Sequence, residues 1–346
     1  MSLKIGNMEL KHGLMLAPMA GYTDRALRLI CHRLGAEYTV TEMVSAKAVV
    51  FNDKKTFSLA KILSDEGPTA VQIFGSEPDI MAEAARVLSE PCSQADISKG
   101  GDVSSGDGER LTCVSPCAID INMGCPVKKI FSNGEGSALM RDPLLIEKIT
   151  SAVKRATSLP VTVKIRAGIN EQSINAVDCA KAAQAGGADA ICIHGRTTAQ
   201  MYGGSADRKI IEKVKNSLQI PLFANGDIVD GASALAMLSE TGADGIAIGR
   251  GAVGNPFIFS EILAALEGKP YFPPSLSERA QMAMTQLSLA CLDKGESYAI
   301  PEARKQIAAY LRAFRGAAKI RAVINGATTL SQIESAFSEL LFSENE

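Results

Sequence analysis

The stretch GADAICIHG at residues 187–195 and its near repeat GADGIAIGRG at residues 242–251 decide the predicted fold of this chain. Each copy begins with Gly-Ala-Asp and continues into a short run of apolar residues that favour β-strands. A glycine that ends a helix, followed at once by an apolar strand, is typical of the junction between helix and strand in a parallel sheet. The repeat therefore predicts that helices and strands alternate along the chain.

Apolar runs of this kind occur eight times, and the segments between them have apolar residues at helical spacing. The predicted strands are LMLAPM (14–19), YTVTEM (38–43), TAVQIFG (69–75), AIDINMG (118–124), VTVKIRAG (161–168), AICIHG (190–195), LFANGD (222–227) and GIAIGRG (245–251). Thr23 is expected to cap the first helix, and Asp142 with Pro143 to open another. Eight units in about 250 residues fit a closed barrel, and no GxGxxG follows the first strand. We expect an α/β fold, a (β/α)8 TIM barrel.

The composition changes after the last strand. Residues 268–275, GKPYFPPS, are expected to form a proline-rich linker, and residues 276–346 contain only helical patterns. Within the barrel, residues 92–117 are rich in Ser, Gly and Asp and should form a polar loop on the face opposite the active site. We therefore expect a barrel over residues 1–267, followed by a small all-helical C-terminal domain.

The overall charge and apolar content exclude several classes of protein. The formal net charge of −2 gives no general attraction to nucleic acid, so any such binding must come from a local patch. No run approaches the ~18 apolar residues of a membrane span, and the first residues lack the apolar core of a signal peptide. Cys92, Cys113 and Cys117 have no evident fourth partner for zinc. We expect a cytoplasmic monomer without a metal site or membrane association.

The residue that leaves each strand at its carboxyl end is a candidate for the active site, because barrels of this type carry their chemistry there. These residues are Met19, Glu42, Gln72, Asn122, Lys164, His194, Asn225 and Gly249. Loops often begin with polar residues, but Lys164 and His194 are still flanked by apolar strand residues, where a polar group without partners is costly. A ring of polar groups above an apolar core predicts a ligand pocket.

The last two strands predict a phosphate site. They end in Asn225-Gly226-Asp227 and Gly249-Arg250-Gly251. Glycine lets the backbone approach an oxyanion closely, and Arg250 with exposed N–H groups supplies donors. Because this pair of loops is the usual phosphate site of the barrel, we expect a phosphorylated ligand. The pattern does not separate a flavin from a sugar phosphate.

Cys125 follows the fourth strand, between Gly124 and Pro126. Gly124 permits a tight turn and Pro126 restricts the backbone, so the thiol should be held near the pocket. A thiol can give or take a proton, and nearby Lys164 or His194 would tune its pKa. A free cysteine is equally often a buried core residue, so spacing alone leaves both roles open.

The strand ends as a set resemble those of the tRNA-dihydrouridine synthases, flavoenzymes that reduce the C5=C6 bond of specific uridines in tRNA. The matching stretches are LAPMAGYTD (16–24), TEMVSA (41–46), VQIFGSEP (71–78), IDINMGCPVKKI (119–130), GSALMRDP (136–143), VTVKIRAG (161–168), IHGRTTAQMYGGSAD (193–207), ANGDI (224–228) and GADGIAIGRGAVGNPFIF (242–259). INMGCP together with HGRTxxQxYxGxAD is specific to this family, and the helical tail is most similar to the bacterial B-type branch. The polar insertion has no counterpart in the family pattern.

This resemblance implies FMN as cofactor and NADPH as electron source. The implied flavin-binding residues are Pro18, Met19, Ala20, Gln72, Lys164 and His194, and the implied phosphate-binding residues are Asn225, Gly226, Asp227, Gly249 and Arg250. Cys125 matches the general acid of the family, which protonates C5 of uracil while reduced FMN delivers hydride to C6.

A substrate base in folded RNA must be flipped into the pocket, so further RNA contacts are required. A basic run in the tail has no acidic residue between its cations, and it consists of Arg304, Lys305, Arg312, Arg315, Lys319 and Arg321. Considered alone, such a run is most often a solvated helix face. The resemblance favours a tRNA-binding face, and it also makes Asn122, Arg166, Arg196 and Tyr202 candidates for contact with the substrate nucleotide.

Three other functions remain open at this point. One is a flavin oxidoreductase similar to dihydroorotate dehydrogenase that acts on a free pyrimidine, for which a basic tail has no use. Another is a non-catalytic tRNA-binding protein, which has no need for a full set of flavin residues. The third is a sugar-phosphate lyase or isomerase with Lys164 as a Schiff base, which would be colourless.

Overall fold

The computed structural model describes residues 3–90, 111–312 and 317–343. Its strands are β1 (Leu3–Ile5), β2 (Met8–Leu10), β3 (Leu14–Leu16), β4 (Tyr38–Val40), β5 (Val44–Ser45), β6 (Thr69–Phe74), β7 (Ile119–Asn122), β8 (Val161–Arg166), β9 (Ala190–His194), β10 (Leu222–Asn225) and β11 (Gly245–Ile248). The large sheet runs in the order β4-β3-β11-β10-β9-β8-β7-β6, and β4 also pairs with β6. All these pairings are parallel, so the sheet closes into the predicted eight-stranded barrel.

Helices surround the barrel and continue beyond it. Those of the barrel are α1 (Arg25–Arg33), α2 (Ala46–Val50), α3 (Lys54–Ala60), α4 (Pro78–Leu88), α5 (Lys128–Ser132), α6 (Pro143–Ala156), α7 (Ala176–Ala185), α8 (Arg208–Lys215), α9 (Gly231–Thr241) and α10 (Ile258–Leu266). Short 3-10 helices span Gly136–Arg141 and Arg250–Ala252. Asp142 caps α6 as expected, with its side chain accepting from the Leu145 N–H. The expected cap at Thr23 is wrong by one residue, because Asp24 accepts from the Leu27 N–H and caps α1.

Side chains of each strand alternate between two cores. On β8, Val161, Val163 and Ile165 pack outward against the helices, as Ile119 and Ile121 do on β7. The intervening residues face the barrel interior, because successive strand residues point to opposite faces. Along β8 these inward residues are Thr162, Lys164 and Arg166, so the interior becomes more polar and more basic toward the carboxyl end.

The amino end of the barrel is filled with apolar side chains. Tyr38, Phe223, Met15 and their neighbours form a buried cluster with Leu3 and Ile5 of the β1–β2 hairpin. This hairpin was not among the predicted strands, and it covers the amino end. The predicted strand over residues 38–43 is shorter than expected and is followed by β5, which pairs with β6.

The insertion predicted over residues 92–117 is described only from residue 111 onward. Cys113 forms an antiparallel bridge with Leu63, and Leu111 packs against the same side chain. Since this contact precedes β6 along the chain, residues 111–117 lie near the amino ends of the strands, away from the carboxyl ends. Residues 91–110, including Cys92, lie outside the described part of the chain.

The remaining helices are α11 (Leu276–Lys294), α12 (Glu296–Tyr310), α13 (Ala317–Gly326) and α14 (Leu330–Ser343). They share one buried core that includes Leu287, Ile307 and Phe337. None of the helices among the described residues is both long and apolar enough to cross a membrane.

Charged residues join α11 to the barrel. Arg25 of α1 is 6% exposed and forms ion pairs with Asp65 and with Asp293 of α11, the latter at 3.5 Å. Lys294 binds Asp24 at 3.1 Å. The helical segment is therefore fixed beside the carboxyl end of β3, where α1 begins.

Candidate active site

A cavity of about 1040 Å³ opens at the carboxyl ends of the strands and extends to α11 and α12. Predicted residues that line it are Pro18, Met19, Ala20, Gln72, Asn122, Cys125, Lys164, Arg166, His194, Tyr202, Asn225, Gly226, Asp227, Gly249, Arg250 and Arg312. Its volume suits a ligand of cofactor size. The barrel topology thus brings together, in one place, residues spread over most of the chain.

The turn that carries Cys125 is held by hydrogen bonds on both sides. The side-chain Oδ1 of Asn122 accepts from the N–H groups of Gly124 at 3.2 Å and Cys125 at 2.9 Å. The Ser137 hydroxyl donates to the Cys125 carbonyl at 2.9 Å, and the Ser137 N–H does so at 3.1 Å. These contacts hold the half-buried thiol at the wall of the cavity.

Arg166 ties the same turn to the loop after β9. Its Nε donates to the Gly124 carbonyl at 2.7 Å, and its Nη1 donates to the carbonyls of Thr197 at 3.1 Å and Met201 at 3.0 Å. The guanidinium is 3% exposed, so these carbonyls satisfy a nearly buried cation. Arg166 therefore fixes the spacing between Cys125 and the segment that carries Tyr202.

Burial sets the protonation of three side chains in the cavity. Burial raises the pKa of the Cys125 thiol, although Arg166 and Lys164 act in the opposite direction. Burial, together with Lys164 and neighbouring arginines, lowers the pKa of His194 to about 2. Burial also lowers the pKa of Lys164, whose Nζ lies 3.4 Å from Asn225 Oδ1. At neutral pH the site therefore holds a protonated thiol and a neutral imidazole.

Asp227 organises the loops that follow β9, β10 and β11. Its backbone has φ 53, and its carboxylate accepts from the Ala206 N–H at 2.7 Å and from Arg196 Nη1 at 2.7 Å. Burial opposes ionisation of Asp227, but the bonds from Arg196 and Ala206 hold the pKa of the carboxyl group below its usual value. Arg250 lies 3.7 Å from the same carboxylate, and its guanidinium stacks 4.6 Å from the Tyr202 ring centre.

Some predicted residues lie outside the cavity wall. Arg196 is 2% exposed and donates to the carbonyls of Gly203 at 3.0 Å and Gly204 at 2.6 Å, so it braces the loop next to Tyr202. Glu42 accepts a hydrogen bond from the Gly21 N–H, in the loop that carries Met19 and Ala20.

The basic run of the tail is divided by the structure. Arg312 is exposed and lines the cavity, whereas Arg304 donates to the Ala327 carbonyl at 2.7 Å and is partly buried. The remaining described members are exposed and lie away from the cavity wall: Lys305, Lys319 and Arg321. Arg315 lies outside the described residues.

Two functional candidates were missed by the sequence analysis. Arg279 of α11 lines the cavity, and its Nη2 donates to the Tyr310 carbonyl at 2.8 Å. Asp120 lies fully buried on β7 and accepts a hydrogen bond from Gln72 Nε2 at 2.6 Å. A carboxylate inside the apolar run AIDINMG is a signal that could have identified Asp120, because a buried charge needs partners.

The cavity lining fits a phosphorylated flavin. Its cations are Lys164, Arg166, Arg250, Arg279 and Arg312, and its carboxylates are Asp227 and Glu261. The excess of positive charge suits a phosphate, and Pro18 and Met19 add apolar lining to the same cavity. Among the described residues, no group of His, Cys, Asp and Glu could hold a metal ion.

Comparison with known proteins identifies relatives along the whole chain. The family model described as dihydrouridine synthase matches residues 15–101 and 114–344, and it skips part of the polar insertion. A probable tRNA-dihydrouridine synthase of Rickettsia conorii is 39% identical over 93% of this chain and 91% of its own length. The tRNA-dihydrouridine synthase B of Pseudomonas putida is 38% identical over 99% of this chain and 95% of its own.

A more distant likeness is to the solved structure of morphinone reductase, with 13% identity and a TM-score of 0.47 over 80% of this chain and 91% of that one. It supports no functional conclusion. The family match and the relatives of nearly equal length show that this chain belongs to the dihydrouridine synthase family, with B-type members among its relatives.

Proposed function

We propose that this protein reduces the C5=C6 bond of specific uridines in tRNA to 5,6-dihydrouridine, with FMN as cofactor, NADPH as electron donor and Cys125 as the proton donor. The observation that carries the proposal is the position of Cys125. Its thiol is held at the wall of the cavity by Asn122 and Ser137. Lys164 and His194, at the carboxyl ends of their strands, line the same cavity.

The residues proposed to hold FMN fall into three groups. Pro18, Met19 and Ala20 form one wall for the ring system, and Gln72, Lys164 and His194 supply polar contacts. The phosphate is assigned to the loops after β10 and β11, with Asn225, Gly226, Asp227, Gly249 and Arg250. FMN, when bound, supplies the hydride chemistry that the side chains of this protein lack.

The chemistry assigned to the protein itself is proton transfer. Saturating the uracil double bond needs a hydride at C6 and a proton at C5, and Cys125 Sγ donates that proton. Because burial raises its pKa, the thiol is protonated at neutral pH, as a general acid must be. The thiolate left behind is stabilised by the nearby cations Lys164 and Arg166, and it regains a proton from solvent.

The substrate is proposed to enter over the positively charged rim of the cavity. Tyr202, 52% exposed between Arg166 and Arg250, offers an aromatic face for the flipped base or its neighbour. Asn122 and Arg196 complete the proposed nucleotide contacts, the latter through the loop that it braces. The proposed phosphate contacts lie on the tail, and they are Arg304, Lys305, Arg312, Arg315, Lys319 and Arg321. We propose that the protein acts as a cytoplasmic monomer.

The first test is the absorption spectrum of the purified protein, with release and identification of its chromophore. Released FMN is the expected result. A colourless protein that takes up no added FMN would contradict the proposal. It would instead favour the Schiff-base reading of Lys164, whose lowered pKa also suits an amine nucleophile.

The second test measures dihydrouridine in undermodified tRNA with the Cys125→Ala variant. Loss of a positioned general acid lowers the rate by about 10²–10⁴-fold, with flavin content unchanged. The matched control is Cys291→Ala, a half-buried cysteine of α11 that lies outside the cavity wall. Equal activity of the two variants would exclude Cys125 as the proton donor.

A further inference from the structure

Asp120 is a fully buried carboxylate that the proposed chemistry does not use. It is 0% exposed, and it occupies the same level of the barrel as Gln72 on β6 and Thr162 on β8, with which it is paired in strand register. The three side chains therefore form one inward-facing layer. Asn122 lies two residues further along β7, one layer closer to the cavity.

A continuous chain of hydrogen bonds runs from this carboxylate to the turn of Cys125. Gln72 donates from Nε2 to Asp120 Oδ2 at 2.6 Å. Gln72 Oε1 then accepts from Asn122 Nδ2 at 2.8 Å. Asn122 Oδ1 in turn accepts from the N–H groups of Gly124 and Cys125. Each member of the chain has both ends of its polar group occupied.

The carboxylate gives this chain its direction. An ionised carboxylate only accepts hydrogen bonds, so Gln72 must turn its amide nitrogen toward Asp120 and its oxygen toward Asn122. Asn122 must then present its own oxygen to the Cys125 turn. If either amide were reversed, an N–H group would face another donor, and a buried mismatch of this kind is costly.

The opposite side of Asp120 is also occupied. The Thr162 hydroxyl donates to Asp120 Oδ1 and lies 3.5 Å from the Tyr38 hydroxyl. Asp120 is thus held from β8 while it holds Gln72 on β6. The chain of hydrogen bonds therefore begins at the Asp120 carboxylate, which is held on both sides, and ends at the Cys125 turn.

We propose that Asp120 is a positioning residue for Cys125 and acts through Gln72 and Asn122. The proposal rests on the proposed function in one respect only, namely that Cys125 is the proton donor. Asp120 does not line the cavity or contact the thiol, so its hydrogen-bonded route to Cys125 runs through the two amides; its charge also interacts with Lys164, and the Asp120→Asn variant separates the two effects.

The test measures the rate at which iodoacetamide alkylates Cys125 in the purified full-length protein, followed on the Cys125 peptide by mass spectrometry. Asp120→Leu removes both acceptors at similar volume, and we expect the alkylation rate to change by about tenfold or more, since a freed turn alters access to the thiol. Asp120→Asn keeps an oxygen that accepts from Gln72 and an amide nitrogen that faces the Thr162 hydroxyl. We therefore expect the alkylation rate to change by less than threefold, roughly within 0.7 kcal/mol.

A double-variant cycle shows the route of the effect. In an Asn122→Ala background the chain is already broken, so adding Asp120→Leu should cause little further change in the alkylation rate. Additive effects of the two changes on the alkylation rate would contradict the proposed hydrogen-bonded chain from Asp120 to Cys125. An unchanged alkylation rate in Asp120→Leu alone would contradict it as well. If Asp120→Asn changes the alkylation rate as much as Asp120→Leu does, the charge of Asp120 acts directly, and the proposed hydrogen-bonded chain is wrong.

Folding and the proposed chemistry are separated by two further measurements. Circular dichroism reports whether each variant is folded, and Asp120→Ser, too short to reach Gln72, replaces Asp120→Leu if the latter does not fold. Cys125→Ala tests the proton donor on its own. An active Cys125→Ala variant would contradict the proposed role of the thiol as proton donor. An inactive Cys125→Ala variant, together with an unaltered alkylation rate in Asp120→Leu, would contradict only the proposed positioning role of Asp120.

Discussion

Replacing Gly136 by alanine should displace Cys125, whereas the same change at Gly134 should not. Both glycines follow the Cys125 turn and both have left-handed backbones, with φ 61 and φ 76. An alanine in this conformation costs about 1–2 kcal/mol at either position. The two variants therefore share one backbone penalty and differ in what the added carbon meets.

The space around the two positions gives the size of the difference. A Cβ at Gly136 would lie 2.9 Å from the Cys125 carbonyl oxygen, 3.1 Å from Cys125 Cβ and 2.9 Å from Ile130 Cγ2, whereas at Gly134 nothing lies within 4 Å. Carbon contacts normally begin at about 3.5 Å, so the Cys125 turn must shift by roughly half an ångström. Overpacking of this kind adds about 1–3 kcal/mol to the loss of stability.

The assay compares dihydrouridine formation and urea unfolding for both variants. We expect Gly134→Ala to lose about 1–2 kcal/mol of stability with near-normal turnover. Gly136→Ala should lose more stability, and turnover should fall by about 10-fold to 100-fold because Cys125, the proposed proton donor, is misplaced. Equal turnover of the two variants would refute the reasoning, since it would mean that the position of the Cys125 turn does not limit the reaction.

Three other predictions concern charge. Burial raises the pKa of Asp120 from 3.8 to about 6, so the wild type should lose about 2 kcal/mol of unfolding free energy relative to Asp120→Asn as the pH rises from 4 to 7. Urea titration at several pH values measures this difference, and a constant difference would contradict the buried charge. Arg312→Ala should weaken tRNA binding about tenfold and lower the salt dependence by about one counterion, while Lys213→Ala on the outer helix α8 should change neither. Arg25→Ala removes the ion-pair partner of Asp65 and of Asp293 at the contact between α1 and α11, and should cost about 3–5 kcal/mol of stability in urea unfolding; a loss below about 1 kcal/mol would show that the ion pairs do not hold the helices together.

The helical segment contributes to the cavity as well as to its surroundings. Arg279 of α11 and Arg312, just beyond α12, both line the space above the strand ends. Their positions depend on the docking of α11 against α1 through Asp293 and Lys294. We therefore expect weakened docking to reduce affinity for tRNA before it affects the barrel itself.

The amino-acid sequence by itself determined the barrel and the main residues of its cavity. Strand and helix periods are local signals, and residues such as Lys164, His194 and Asn225 are recognisable as polar ends of apolar strands. Once the strands are parallel and the sheet is closed, their carboxyl ends must meet at one rim. The convergence of these residues therefore follows from local patterns and one topological rule.

Only the tertiary structure decided which side chains touch. The chain from Asp120 through Gln72 to Asn122 depends on the register of β6 against β7, and the bond from Arg304 to the Ala327 carbonyl depends on the packing of α12 on α13. Nor does any local pattern indicate that Gly136 has no room for a side chain beside Cys125. Hydrogen bonds and steric contacts act over a few ångströms between residues distant in sequence, so they exist only after the strands have been aligned and packed.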